Sequence, residues 1–318
     1  MDTVIEARPL GFFGKLRVFA ACAIAVLLMR TVGWHVVQPI DPDLAVTMSA
    51  GERSVISVWI IVFVLTSVAA VIGTVIIGRR LPEGGIFAAA VGLSALGLQG
   101  GSMQMVLAYE CGIESASRRA LMMKMGGDCI LWASILVISW VVVVVVKHWL
   151  WPIDRNENVN DQLKAAEIST KPNESVTSQN GWPALIVTTL VAIFVIWITI
   201  ARTPVAQIAR GQIIASVFGG LFLGAMAARY FTTVSDSRWY ALAAPAVGLI
   251  AYLVGFLSAD MGWAQGGRFQ FYALLNTTPP HALARALPIE YVAVGVSGVL
   301  MGYWCGQKME HVAEQESV

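Results

Sequence analysis

Long apolar runs alternate with short polar breaks along this chain, and the lengths of the runs carry the first inference. Crossing a hydrocarbon layer about 30 Å thick takes roughly 20 residues of helix at 1.5 Å per residue. Runs of that length are expected at residues 16–36, 55–77, 86–108, 129–150, 184–201, 211–231, 240–258 and 287–305. Backbone in lipid has no water to bond, so each run should be a helix. The all-valine stretch Val141–Val146 would favour a strand in water. Flanked by Trp132, Trp140 and Trp149, it reads as helix at membrane depth.

One long segment breaks the rhythm. Ile153–Asn180 is rich in Asn, Glu, Lys, Ser and Thr and has almost no apolar periodicity, as expected of a solvated linker. The expected organisation is a membrane half over 1–151, a polar linker over 152–181, a second membrane half over 182–306 and a polar tail over 307–318. The fold class is therefore an all-α integral membrane protein of about eight transmembrane helices in two tandem four-helix halves.

Composition agrees. The chain is 57% hydrophobic and only 13% charged, against about 25% charged in soluble proteins. A net charge of +1 excludes a strongly basic nucleic-acid binder. The expected bilayer is the cell membrane. Arg8, Lys15, Arg17, Arg79, Arg80, Lys147, Arg155, Lys164, Lys171, Arg229, Arg238 and Lys308 fall on one side, twelve of the 21 Lys and Arg, leaving 21 − 12 = 9 on the other. That asymmetry places both termini in the cytoplasm. No small-x-small cleavage site follows the apolar run Val18–Met29, so this run is expected to remain as the first helix.

The two halves share short motifs in one order. Arg30-Thr31 pairs with Arg202-Thr203, AVGLSA (90–95) with AVGLIA (246–251), QGGSMQ (99–104) with QGGRFQ (265–270), and Asp128 with Glu290. Four helices per half would give both halves the same orientation, so the expectation is a parallel internal repeat. In each hexapeptide the glycine pair is expected to end a helix through positive φ. The glutamines would then bond the freed carbonyls or line a shared polar vestibule. Segments 102–127 and 268–287 follow the motifs and are expected to lie in the interface or fold back between helices.

Candidate ligand-binding residues are Gln99, Gln104, Gln265, Gln270, Arg30 and Arg202, and candidate ion contacts are Glu110, Asp128, Asp260 and Glu290. Asp128 and Glu290 are read as the first residues of their helices, where an acid offsets the positive dipole end. Arg30 is read as snorkelling from a helix end. Cys111 and Cys129 flank an outer loop and enter the same face, so a disulfide between them is expected only if that face is periplasmic. The glycine pairs Gly220/Gly224 and Gly298/Gly302 suit close helix packing. Gly295-Val296-Ser297-Gly298 resembles the GxSG motif of rhomboid intramembrane proteases, which implies a serine nucleophile. Only His311 follows it, in the polar tail, so a Ser/His dyad lacks its partner.

No phosphate loop, dinucleotide fingerprint, metal motif or cofactor signature is present. The best functional expectation is a transporter or permease-like carrier of a small solute, with a polar site between the halves. The alternatives are a noncatalytic assembly protein packing membrane partners or further copies of itself, and, weakest, an intramembrane enzyme.

Overall fold

The apolar runs fold here as helices, which satisfy their own backbone hydrogen bonds. Residues 11–41, 44–48, 54–79, 81–110, 115–151, 180–200, 206–232, 234–259, 279 and 281–316 are described by a computed structural model, with side chains except at 206–208 and 310–316. No strand occurs among them. The helices are α1 (Phe12–Val37), α2 (Val55–Ile77), α3 (Gly84–Gly97), α4 (Met103–Glu110), α5 (Ser115–Leu150), α6 (Trp182–Thr199), α7 (Ala206–Phe231), α8 (Ser237–Leu257) and α9, whose π turn Glu290–Val294 runs on into Gly295–Glu316.

Among the described residues six helices are long and apolar enough to cross a membrane: α1, α2, α5, α6, α8, and α7 from Ala209 onward. The runs expected at 86–108 and 287–305 are not among them. The first is cut in two. Helix α3 stops at Gly97 after 14 residues, and α4 adds only 8. The second begins with a π turn and ends in a polar stretch. Both of these helices lie inside the bundle. Ten of the 14 residues of α3 are buried, and so is every residue from Ala286 to Leu300. The six longer helices surround them and turn apolar stripes outward, such as Ile186, Leu190 and Phe194 on α6. In water such stripes would drive association. This arrangement is compatible with a multi-pass membrane protein.

The two ends of the bundle differ. The linker end carries Trp151 and Trp182, which flank the polar linker. The far end carries the break between α3 and α4. There, residues 44–48 fold back under the surface, with Ala45, Val46, Thr47 and Met48 all buried.

Glycines set the closest approaches. A Cβ on Gly298 would stand 2.5 Å from the Phe218 carbonyl oxygen, and one on Gly302 would stand 2.2 Å from that of Phe222. The same holds for Gly224 against the Thr188 oxygen, at 2.6 Å. The glycine faces expected to pack helices therefore do so within the chain, joining α9, α7 and α6. The two AVGL motifs have different neighbours: Gly92 meets the backbone of Ala25, whereas Gly248 meets Cys129 and Tyr291.

Two expectations are overturned. Asp128 does not open a helix. The residues expected to lie in the interface from Ser115 onward belong to α5, a single helix of 36 residues, and Asp128 lies well inside it. Gly126 and Gly127 look like a stop in sequence, but the helix passes through both. Nor does the first QGG turn through positive φ. Gly78 alone has positive φ among the described residues. Gly100 is needed for space instead: a Cβ there would lie 2.8 Å from Val46 Cγ2 and 3.0 Å from the Leu44 oxygen. The Gly101 amide donates to that same Leu44 oxygen at 2.9 Å. The linker, the second hexapeptide, the segment 268–278 and Cys111 lie outside the described residues.

Candidate functional site

Helix α3 stops short of its neighbour. Helix α2, with 23 residues, rises about 34 Å, whereas the 14 residues of α3 rise about 21 Å. The two start level at the linker end, where Gly84 packs against Ile77. Helix α3 therefore stops roughly 13 Å short of the far end of α2. Gly97 at its end is buried, and a buried backbone carbonyl left unbonded is costly.

Arg210, on the first turns of α7, meets that need. Its guanidinium donates through Nη2 to the Gly97 oxygen at 2.5 Å and through Nη1 to the Gly100 oxygen. A cation at the C-terminal end of a helix also offsets the negative dipole end. The glutamine expected to take these carbonyls does something else. Gln99 Nε2 donates to the Arg30 oxygen at 3.4 Å. Arg30 sits in the π turn Met29–Gly33 of α1. Its side chain is exposed, and with Val26, Trp34, Ala95, Leu98 and Gln99 it lines an open groove. Helix α1 continues past it to Val37, so Arg30 is not at a helix end.

Behind Arg210 lies Glu290. Its Oε2 accepts the Leu287 amide at 2.8 Å. With Leu287 at the N-cap and Pro288 next, this is the backward half of a capping box, and a proline suits the first helical position. Glu290 thus opens its helix as expected. Its other oxygen, Oε1, lies 3.7 Å from Arg210 Nε, too long for a hydrogen bond. Neither of these two buried atoms has a hydrogen-bond partner among the described residues. The Glu290 side chain is 4% exposed and that of Arg210 19%. The result is a buried ion pair with one unspent polar atom on each side.

A narrow cleft at the first turns of α7 is lined by Ser102, Met103, Gln104, Ala209, Ile213, Pro279 and Arg285, and neither Arg210 nor Glu290 lines it. Ser102 Oγ in this cleft is buried without a partner among the described residues. Gln104 lines this cleft, whereas Gln99 and Arg30 belong to the separate groove. Two buried tyrosines support the floor. Tyr252 Oη donates to the Ala286 oxygen at 2.7 Å, and Tyr291 Oη donates to the Leu283 oxygen.

The other acids are held elsewhere. Asp128 Oδ1 accepts the Met48 amide at 2.9 Å, and Oδ2 accepts Trp132 Nε1 at 3.2 Å, so this carboxylate pins the 44–48 segment. Glu110 pairs with Lys124 at 2.5 Å. Gln265, Gln270, Arg202 and Asp260 lie outside the described residues. Ser297 is buried, and its hydroxyl donates to the Ala293 oxygen one turn back, as a structural helix serine does. No group of three His, Cys, Asp or Glu able to hold a metal occurs among the described residues.

Sequence alone does not point to Arg210. It stands at the edge of the 211–231 run, where an arginine looks interfacial. The one available signal is the unpaired glycine-rich stop at 97–101, which demands a donor from somewhere. The chain matches no protein-family model, no curated protein and no solved structure. The fold and this pair define the class: among the described residues, a helical protein with six helices long and apolar enough to cross a membrane and a largely buried charged pair where an inner helix is interrupted.

Proposed function

We propose that the protein is a carrier of a small polar solute in the cell membrane, with both termini cytoplasmic. The observation that carries this reading is the Arg210–Glu290 pair at the interrupted end of α3. Charged side chains at membrane depth are expensive, and broken helices at the centre of a bundle are the usual seat of a transported solute. The unspent Arg210 Nε and Glu290 Oε1 suit a solute that carries an acceptor beside a donor. Ser102 and Gln104 would complete its polar shell. In this reading the interrupted α3–α4 unit and α9 supply two further passes, for eight in all. The halves are then parallel repeats, supported by reciprocal packing: α3 of the first half meets α9 at Gly97–Ile289, and α8 of the second meets α5 at Gly248–Cys129. The orientation rests on the Lys and Arg asymmetry.

The test is alternating access. A single cysteine replaces Ser102 in a cysteine-free background, and a membrane-impermeant maleimide is applied to intact cells and to inverted vesicles. A carrier labels from both faces, and a stabilising solute found by thermal-shift screening slows both rates. Labelling from one face only, with no solute that raises the melting temperature in an Arg210-dependent way, overturns the proposal.

A further inference from the structure

A second feature lies at the other end of the molecule. Helices α5 and α8 meet closely toward the far end, where a Cβ on Gly248 would stand 2.9 Å from Cys129 Sγ. They part toward the linker end and leave a crevice of about 310 Å³. One wall is a stripe of α5, from Ala133 through Val137 and Val141 to Val144. The other is the helical face Arg238, Ala241, Leu242 and Pro245 of α8. The floor is Ile86 of α3 with Val292 and Val296 of α9.

The floor is sealed and the rim is open. Val292 is 1% exposed, whereas Val141 is 57% and Leu242 41% exposed. No described residue covers the opening, which faces sideways like the rest of the outer apolar surface. From Ala133 to Val144 the wall rises about 16 Å, roughly half the hydrocarbon thickness. That is the depth of one leaflet. The mouth is polar. Arg238 closes one wall with its side chain 67% exposed, and Asp236 engages its Nε and Nη2 at 2.9 and 2.8 Å. The Nη1 edge of that fork remains for an oxyanion. Lys147, one turn beyond Val144, stands at the end of the opposite wall and donates to the Pro82 oxygen. Glu83, also at this end, accepts from Ser237 at 2.9 Å and from Trp304 Nε1 at 3.4 Å.

We infer that this crevice is a binding site for one membrane phospholipid of the linker-side leaflet, with an acyl chain between α5 and α8 and the phosphate at Arg238. An apolar slot one leaflet deep and open to the side matches an extended acyl chain in length and polarity. An exposed guanidinium at its interfacial mouth matches the phosphodiester that follows such a chain. The occupant comes from the bilayer itself, so the site does not depend on the transport reading.

Native mass spectrometry of the full chain, released from nanodiscs, tests the inference. The nanodiscs contain phosphatidylglycerol, phosphatidylethanolamine, or diacylglycerol with the same chains in a phosphatidylcholine background. The wild-type protein should retain one phospholipid through delipidation. Val141→Trp and Leu242→Trp fill the slot from opposite walls, and each should cut retention about tenfold. Arg238→Ala should do the same for both phospholipids. Val145→Trp, at another exposed position of α5, should retain lipid as the wild type does. Circular dichroism and gel filtration confirm that each variant compared is folded. If one filling variant does not fold, the other carries the comparison. Equal retention across the filling variants overturns the site. Equal retention of diacylglycerol and phospholipid overturns the role of Arg238. If Val141→Cys resists a lipid-soluble maleimide, the chain itself covers the crevice, and the inference fails.

Discussion

Arg210 Nε lies 3.7 Å from Glu290 Oε1, while the same guanidinium holds the carbonyls of Gly97 and Gly100. One side chain thus ties the end of α3 to the start of α9, two helices brought together from distant parts of the sequence. Removing it strands a buried carboxylate oxygen and frees two carbonyls at once. Breaking a buried pair from one side costs about 3–5 kcal/mol. Arg210→Ala is therefore expected to lower the melting temperature in detergent sharply. Arg210→Met combined with Glu290→Gln should recover much of the loss, because no lone charge is left. A double variant no more stable than Arg210→Ala would show that the carbonyl bonds, and not the ion pair, dominate.

Asp128 gives a local prediction. Asp128→Leu leaves the Met48 amide and the Trp132 indole without their acceptor. Each unsatisfied buried donor costs about 1–3 kcal/mol. The 44–48 segment should then come loose before the bundle does. Hydrogen exchange of the Met48 amide is expected to accelerate by more than about tenfold, with little change at the core of α2. Unchanged exchange at Met48 would mean that other contacts hold the segment.

The glycines divide into two groups with opposite expected outcomes. Gly302→Ala pushes a methyl group into the Phe222 carbonyl, a backbone atom that cannot step aside, and overpacking of this kind costs about 1–3 kcal/mol. Gly211→Ala, with nothing within 4 Å of its Cβ, should be neutral or stabilise α7 by up to about 1 kcal/mol. Unfolding midpoints of the two variants check the contrast directly.

Gly100→Ala tests the reason for the first hexapeptide. If space and not backbone angle requires glycine, the added methyl should displace Val46 and Leu44 and weaken the hold on residues 44–48. The Met48 amide should then exchange faster, as in the Asp128 variant, although the Asp128 carboxylate is intact. A Gly100→Ala protein with wild-type exchange there would restore the backbone-angle explanation.

Much of the helical plan is legible in sequence because a run of 20 apolar residues has few other fates. The packing role of Gly298 and Gly302 is legible for a similar reason, since two small residues one turn apart leave a groove that another helix fills. The interrupted third run is not. Leu98 and the stretch Met103–Leu107 keep the apolar average high across the break, and only the close approach of residues 44–46 shows why the helix stops. Asp128 misleads because two glycines precede it, although a well-packed helix carries glycine at a modest cost. Arg210 is invisible for a deeper reason. Its partners lie 113 and 110 residues away in the chain, and its value comes from carbonyls that are orphaned only once the helices have been assembled.

The length of α5 has an effect on the shape of the far end. Met122 stands beside Gly255, two residues from the end of α8, so the seven residues before Met122 carry α5 roughly 7 Å beyond the last residue of α8. Arg119 lies on this stretch, with its guanidinium over the ring of Phe256. Among the described residues α5 therefore reaches beyond α8 at this end. The first two turns of α5 thereby act as a clasp over the last turn of α8, held by Met122 at Gly255 and by Arg119 at Phe256.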